Sequence, residues 1–228
     1  MKPILTVCPS RERPDRLRTM LESFYATSIN SMMLVIVDKD DPTLEQYRKV
    51  AEDFKNISLW ETAYANNTER LNAAFKNYPF YQFYHITNDD VIYRTPEWDR
   101  KFLDILKNRT GIAFGDDKEF SDRLCPTPFI HGNIVRALGW LQMPKLIHLY
   151  GDNVWMIIGK MLRNLFYVGD VVIEHMHPVA GKAEMDNVYL KDNSKEMYEH
   201  DSDAFFQWCA DESLKDVKHI GEVLNKEG

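Results

Sequence analysis

The sequence is short of cysteine, of glycine-rich loops, of long apolar runs and of positive charge, and each shortage removes a class of protein. Its three cysteines, Cys8, Cys125 and Cys209, lie far apart. An odd count with no close pair makes neither a disulfide framework nor a Cys-x-x-Cys site. The thiols are expected to serve as small apolar side chains in a reducing compartment. No apolar run approaches the ~20 residues that cross a bilayer. Met1-Lys2-Pro3-Ile4-Leu5 lacks the long apolar segment of a secretory signal, so the expected location is the cytoplasm. The formal net charge of −7 disfavours a passive nucleic-acid binder, whose affinity comes mostly from neutralising phosphates. There is no Gly-x-Gly-x-x-Gly, no Gly-Lys-Ser/Thr loop, no His-Glu-x-x-His and no Gly-x-Ser-x-Gly. A bound nucleotide would therefore meet its phosphate charge with a metal ion, with arginine or lysine, or with both.

What remains is a regular alternation. With 228 residues, 44% of them hydrophobic, the chain can bury one large core. Short β-prone runs at Ile4–Cys8, Met33–Val37, Ile57–Thr62 and Phe80–Thr87 alternate with amphipathic helical segments. The first helix starts at Pro14-Asp15, the second follows Pro42, and the third presents Leu71, Ala74, Phe75 and Tyr78. Such alternation predicts an α/β fold, with a mostly parallel central sheet flanked by helical crossovers. Thr95-Pro96-Glu97-Trp98 reads as an N-cap followed by proline in the first turn. Further on come strand candidates at Ile112–Gly115 and Phe129–Gly132, helices at Asn133–Leu141 and Asn153–Leu165, and one or two strands over Leu165–His177, broken at Gly169-Asp170. A charged helical tail follows, docked through Phe205, Phe206 and Trp208. No linker interrupts the chain. The expected organisation is one domain over 1–193, with a helical extension over 194–228 packed on it.

The polar residues fall where strands end. Pro9-Ser10-Arg11-Glu12-Arg13 follows the first strand, Asp38-Lys39-Asp40-Asp41 the second, and Asn88-Asp89-Asp90 the fourth. In a parallel sheet these ends share one edge, where open α/β sheets bind ligands. Adjacent carboxylates with no cation between them repel each other. Mg²⁺ or Mn²⁺, which take oxygen ligands and bridge carboxylates to phosphates, would relieve that repulsion. The competing reading of Asn88-Asp89-Asp90 is a turn. Arg11 and Arg13 precede the helix and suit phosphate or base contacts, while Arg16 and Arg18 read as its solvated face. Asp41 suits the cap before the Pro42 helix, leaving Asp38 for ligand. His131-Gly132-Asn133 is a candidate lining for a sugar or acceptor pocket.

Taken in order, these segments resemble the GT-A-fold glycosyltransferases of the inverting, nucleotide-sugar-dependent class. Ile4–Arg11 resembles the family's first strand and its Pro-Thr-x-Asn-Arg-like loop. Val35-Ile36-Val37-Asp38 resembles the second strand with its base-contacting Asp, Arg70-Leu71-Asn72 an Ala-Arg-Asn segment near the donor, and Asn88-Asp89-Asp90 the Asp-x-Asp motif, with Asn88 in place of the first Asp. Tyr150-Gly151-Asp152-Asn153 resembles the Glu-Asp motif that carries the catalytic base, with Gly151 in place of Glu. Val171–Pro178 resembles the strand ending in a metal-binding histidine. The resemblance spans roughly residues 3–178. It implies a GT-A, Rossmann-like fold, Asp90 with His175 or His177 on Mn²⁺ or Mg²⁺, and Asp89 near the ribose or the metal. It also implies Asp152 as the base and Pro9, Ser10, Arg11, Arg13, Asp38, Arg70 and Asn72 around a nucleotide-sugar donor, most simply a UDP-sugar. Lys182, on the loop beyond the histidines, either closes over the diphosphate or is simply exposed.

Each role has a plainer counterpart. Asp152 can be a first-turn acid favoured by the helix dipole, which would lower its pKa, and the histidines can be ordinary sheet-edge residues. The expected activity is metal-dependent transfer of a sugar to an acceptor hydroxyl with inversion. The acceptor is left open among a saccharide, a lipid-linked sugar, a protein and, as in compact phage-type enzymes, a hydroxymethylated base in DNA, which in a duplex must be flipped out. A sugar-nucleotide pyrophosphorylase would want a glycine-rich first loop, which Pro9-Ser10-Arg11 is not. A non-catalytic nucleotide-sugar-binding module would tolerate Asn88 and Gly151.

Overall fold

A computed structural model describes residues 3–227; Met1 and Lys2 of the N-terminal segment and Gly228 of the extension lie outside them. In chain order the elements are β1 (Ile4–Pro9), α1 (Pro14–Thr27), β2 (Ser31–Asp38), α2 (Leu44–Glu52), β3 (Ile57–Thr62), α3 (Asn67–Asn77), β4 (Phe83–Ile86), β5 (Val91–Tyr93) and α4 (Trp98–Leu106). They continue with β6 (Ile112–Asp116), β7 (Phe129–His131), α5 (Gly132–Leu138), α6 (Gly151–Met161), β8 (Leu165–His175), α7 (Asn187–Asp192), α8 (Lys195–Asp211) and α9 (Ser213–Glu227). The strands form an eight-stranded sheet in the order β3-β2-β1-β4-β7-β6-β8-β5. No helix among the described residues is long and apolar enough to cross a membrane.

Both faces of the sheet are covered, which is why its strands read as continuous apolar runs rather than alternating ones. Along β1 and β2, Leu5, Val7, Leu34 and Ile36 point into one core with α3, α5, α6, α8 and α9. Ile4, Cys8, Met33, Val35 and Val37 point into the other with α1, α2 and α4. Trp98 and Trp155 are core residues, one in each layer, as their helical spacing predicts. Asp99, wholly buried at the start of α4, accepts from Ile29 N (3.0 Å), Asn30 N (2.6 Å) and Ser31 Oγ (3.1 Å), and so secures the turn between α1 and β2.

The first half of the chain follows the expected crossover pattern: β1 pairs in parallel with β2 and β4, and β2 with β3. The second half departs from it. β7 runs antiparallel to both β4 and β6, and β5 is antiparallel to β8, so the sheet is mixed. Residues 165–175 form one strand, with no break at Gly169-Asp170. A register shift against β6 between Gly115 and Asp116 absorbs those residues as a bulge instead. Thr95 is not a helix cap. Its hydroxyl accepts from Val172 N (2.8 Å) and donates to Asp170 O (3.2 Å), and α4 begins three residues later, at Trp98, behind Glu97 at φ +54°. α5 stops at Leu138, before Gly139 at φ +76°. Phe205 and Trp208 are buried in the core, whereas Phe206 points outward at 62% exposure, because it falls off the helical stripe they share.

Candidate active site

The C-terminal ends of β1 and β4 open onto a cleft of about 420 Å³. At one corner Asp38 closes β2 and is 3% exposed. Arg11 Nη1 donates to Asp38 Oδ2 (2.6 Å), and Arg70 donates through Nε to Oδ1 (3.0 Å) and through Nη2 to Oδ2. The two guanidiniums stand over Asp38 and face the cleft, while Asp38 itself lies behind its wall. Asp41 is not the cap expected of it, because α2 starts later, behind Thr43; it accepts from Thr43 N (2.7 Å) and Glu12 N (2.8 Å) and so closes the turn ahead of the helix.

Asn88-Asp89-Asp90 is both a turn and a strand end. Asp89 is buried, accepts from Ser10 Oγ (2.6 Å) and lies 3.5 Å from Arg13 Nη1. Burial, and then the neighbouring Asp90, push its carboxyl up to about 7. Asp90 goes the other way. Burial alone would raise it, but His175 holds it below the ordinary carboxylate value. His175 correspondingly overcomes its own burial and is raised by Asp90, with Glu119 and Asp117 adding to the effect. The contact is Asp90 Oδ1 to His175 Nε2 at 3.3 Å. It is set by the ladder that pairs β5 with β8: Val91 stands opposite His175, and Met176 N donates to Asp90 O (2.8 Å). His177 sits one ring further along, 5.1 Å from His175 between centroids, with Nδ1 3.8 Å from Glu119 Oε1.

Among the described residues no three His, Cys, Asp or Glu side chains already converge as a metal cage. Asp90 and His175 are nevertheless a fitting pair of donors. Asp90 Oδ1 is buried without a well-formed hydrogen bond, and a site of one carboxylate and one imidazole completed by phosphate oxygens suits Mg²⁺ or Mn²⁺.

Asp152 enters the cleft from the first turn of α6. The helix N-terminus would depress its pKa, the effect expected from sequence. Burial outweighs that, and the carboxyl is pushed up to about 6. Where the resembled motif has Glu, a Cβ at Gly151 would overlap the far end of the Gln142 side chain, which would have to shift to admit one. Gln142 also lines the cleft.

Pro9, Ser10, Arg11, Arg13, Arg70, Asp89, Asp90, Asp152, His175 and His177 thus share one cleft, and Asn72, Lys182 and His131 do not. Asn72 spends its amide on the backbone of Leu141 and Gln142. Lys182 pairs with Glu174 (3.0 Å). His131 caps α5, accepting from Asn133 N (3.2 Å). The antiparallel course of β7 places His131 opposite Phe83, at the far end of β4 from the cleft. Arg16 is not on a solvated face, since it pairs with Asp186 at 3.1 Å. Asp186 also takes Arg13 in a two-pronged contact (2.8 and 2.6 Å) while capping α7, and nothing in its sequence surroundings marks it. Asp117 had a signal, because it lies at the C-terminal end of β6 beside Asp116, as Asp38 closes β2. Its Oδ1 accepts from Glu119 N (3.0 Å), Phe120 N (2.8 Å) and Ser121 N (3.0 Å), shaping the loop beside the histidines.

No protein-family model matches the sequence, and no curated protein matches it. Solved structures do match the fold. The mannosyltransferase PcManGT from Pyrobaculum calidifontis, in complex with GDP-Man and Mn²⁺, superposes with a TM-score of 0.64 at 11% identity, over 98% of this chain and 74% of that one. TarS from S. aureus in complex with UDP-GlcNAc gives 0.62 at 14% identity, over 99% and 72%. The glucosyl-3-phosphoglycerate synthase of Mycobacterium tuberculosis, with Mn²⁺, UDP and phosphoglyceric acid, gives 0.58 at 10%, over 92% and 79%. The chain has the GT-A fold of nucleotide-sugar glycosyltransferases.

Proposed function

We propose that this protein is a glycosyltransferase that moves a sugar from a nucleoside diphosphate, a UDP-sugar in the first instance, to an acceptor hydroxyl with inversion at the anomeric carbon. The observation that carries the reading is the meeting of Asp90 with His175 at 3.3 Å in the same cleft as Asp152, at the ligand-binding edge of a GT-A sheet.

Arg13, supported by Asp89 and Asp186, meets the charge of the diphosphate, and Arg11 and Arg70 face the nucleoside end beside Asp38. Asp90 and His175 would hold Mn²⁺ or Mg²⁺, which when bound supplies positive charge against the departing diphosphate. Asp152, titrating at about 6, is mostly ionised at neutral pH and still basic enough to take a proton. It removes the hydrogen of the acceptor hydroxyl. The oxygen then forms its bond to the anomeric carbon on the face opposite the diphosphate, as the bond to the diphosphate oxygen breaks.

A thermal-shift screen of nucleotide sugars with and without Mn²⁺ tests the reading. A UDP-sugar should raise the melting temperature, and more so with the metal. Supplied with saccharide or hydroxymethylated-DNA acceptors, the same donor should release UDP. No shift with any nucleotide removes the donor site. A shift without turnover on any acceptor, indifferent to Asp152→Asn, reassigns the chain as a binding module.

A further inference from the structure

α8 carries a single carboxylate on its buried face. Asp201, Phe205 and Trp208 are its buried residues, spaced so that they form one stripe. The two aromatic rings are enough to dock a helix, and an ionised group in such a stripe is costly unless it is fully hydrogen-bonded. Asp201 is wholly buried and fully engaged. Its Oδ1 accepts from Ile147 N (2.8 Å) and its Oδ2 from His148 N (2.8 Å) and Leu149 N (2.6 Å). His200 Nδ1 adds a contact to Oδ1 at 2.9 Å. These successive amides lead directly into α6. Tyr150 comes next, at φ +64°, a left-handed conformation a bulky residue seldom takes unless its surroundings impose it. Its ring stacks on Phe205, 5.0 Å away between centroids and inclined by 24°. Ile147 O is fixed from the other side by Thr68 N (3.2 Å). Ile147, His148, Leu149, Tyr150 and Asp152 all line the cleft.

We infer that Asp201 is a positioning residue: from the C-terminal extension it clamps the 147–149 backbone and so sets where Asp152 stands relative to the acceptor hydroxyl. The inference rests on the transferase reading for what Asp152 does, though not for the clamp itself. In Asp201→Asn one carboxylate oxygen becomes an NH₂ aimed at the amides it used to accept from, so the loop loses its anchor while the donor corner at Asp38, Asp89 and Asp90 is untouched.

The test combines hydrogen exchange, nucleotide affinity and steady-state kinetics on the full chain. In Asp201→Asn the amides of 147–149 should exchange at least roughly tenfold faster, for want of their acceptor. UDP affinity in Mn²⁺ should stay within about twofold of wild type while kcat falls about 10²-fold, the scale of a 1 Å misplacement. Asp201→Glu, which keeps charge and acceptors on a longer arm, should recover part of kcat. Faster exchange with unchanged kcat overturns the inference. So does a kcat that falls only in proportion to UDP affinity and folded fraction, with no recovery in Asp201→Glu. If Asp201→Asn does not fold, Asp201→Glu decides: lower kcat at unchanged UDP affinity supports the inference, and unchanged kcat overturns it. A wild-type chain that turns over no nucleotide sugar defeats the transferase reading separately; exchange at 147–149 then judges the clamp, and unaltered rates in the variant defeat it too.

Discussion

Replacing Asp152 with Asn should cost the protein its activity and make it more stable. In the fold the carboxyl titrates at about 6, against an ordinary value of 3.8, because burial penalises its charged form. A folded-state pKa raised in this way means the native protein holds the proton more tightly than the unfolded chain does. Stability therefore falls as pH rises from 3.8 to about 6. At pH 7 the full penalty is at most about 3 kcal/mol, and at pH 5 roughly half of it remains. Asn cannot ionise, yet it keeps the oxygen that accepts from Asn153 N (2.8 Å). The variant should melt roughly 2–10 °C higher at pH 7, by less at pH 5, and at the wild-type temperature below pH 4. Turnover should drop by about 10²–10⁴-fold, the usual contribution of a general base, with UDP affinity unchanged. In the wild type, kcat/KM should fall about tenfold per pH unit below about 6. Differential scanning fluorimetry across pH, beside initial rates of UDP release, reads all of this. An Asn variant that is inactive and less stable at pH 7 would mean that Asp152 is a structural acid. One that turns over within a few-fold of wild type would mean that it is not the base.

Three further substitutions probe other parts of the structure. Asp90→Asn should abolish the Mn²⁺-dependent gain in UDP affinity, a loss of at least roughly 10–100-fold, the scale seen even for outer-shell partners; calorimetry showing the same affinity for both proteins with Mn²⁺ would contradict the metal assignment. Gly151→Ala puts a methyl into the Gln142 amide and should cost about 1–3 kcal/mol in urea unfolding; a neutral result would show that Gln142 moves aside freely. Asp99→Ala strips the acceptor from Ile29 N, Asn30 N and Ser31 Oγ and should destabilise by about 2–4 kcal/mol, with turnover per folded molecule intact; unchanged unfolding would mean that water replaces the carboxylate.

The strand-end side of the cleft was legible because it depends on one inference, that parallel strands deliver their C-terminal residues to a common edge. Ser10, Asp38 and Asp89 are close in space for that reason alone. His175 was legible because its strand, though antiparallel to β5, ends beside Asp90. His131, a candidate pocket lining, does not reach the cleft: nothing local announces that β7 runs the other way, and direction decides which end of a strand reaches the cleft. Asn72 carries no mark distinguishing an amide that binds a ligand from one that binds a loop. The pKa of Asp152 could not be read from its helix position, because burial, which raises it, is set by the tertiary fold. Asp201 had a faint signal, a lone acid within the apolar stripe of Phe205 and Trp208, but the amides it serves lie more than fifty residues away.

The contact between Asp90 and His175 has a further consequence. Their separation is inherited from a backbone ladder three rungs long, Val91 to His175, Ile92 to Glu174 and Tyr93 to Ile173, rather than from the shape of the side chains around them. Changes of length confined to the loops between Tyr93 and Leu165 leave those three rungs themselves unaltered. Slipping the ladder by one residue would turn the imidazole to the opposite side of the sheet. The distance between this carboxylate and this imidazole is thus a property of strand pairing and not of the loops around the cleft.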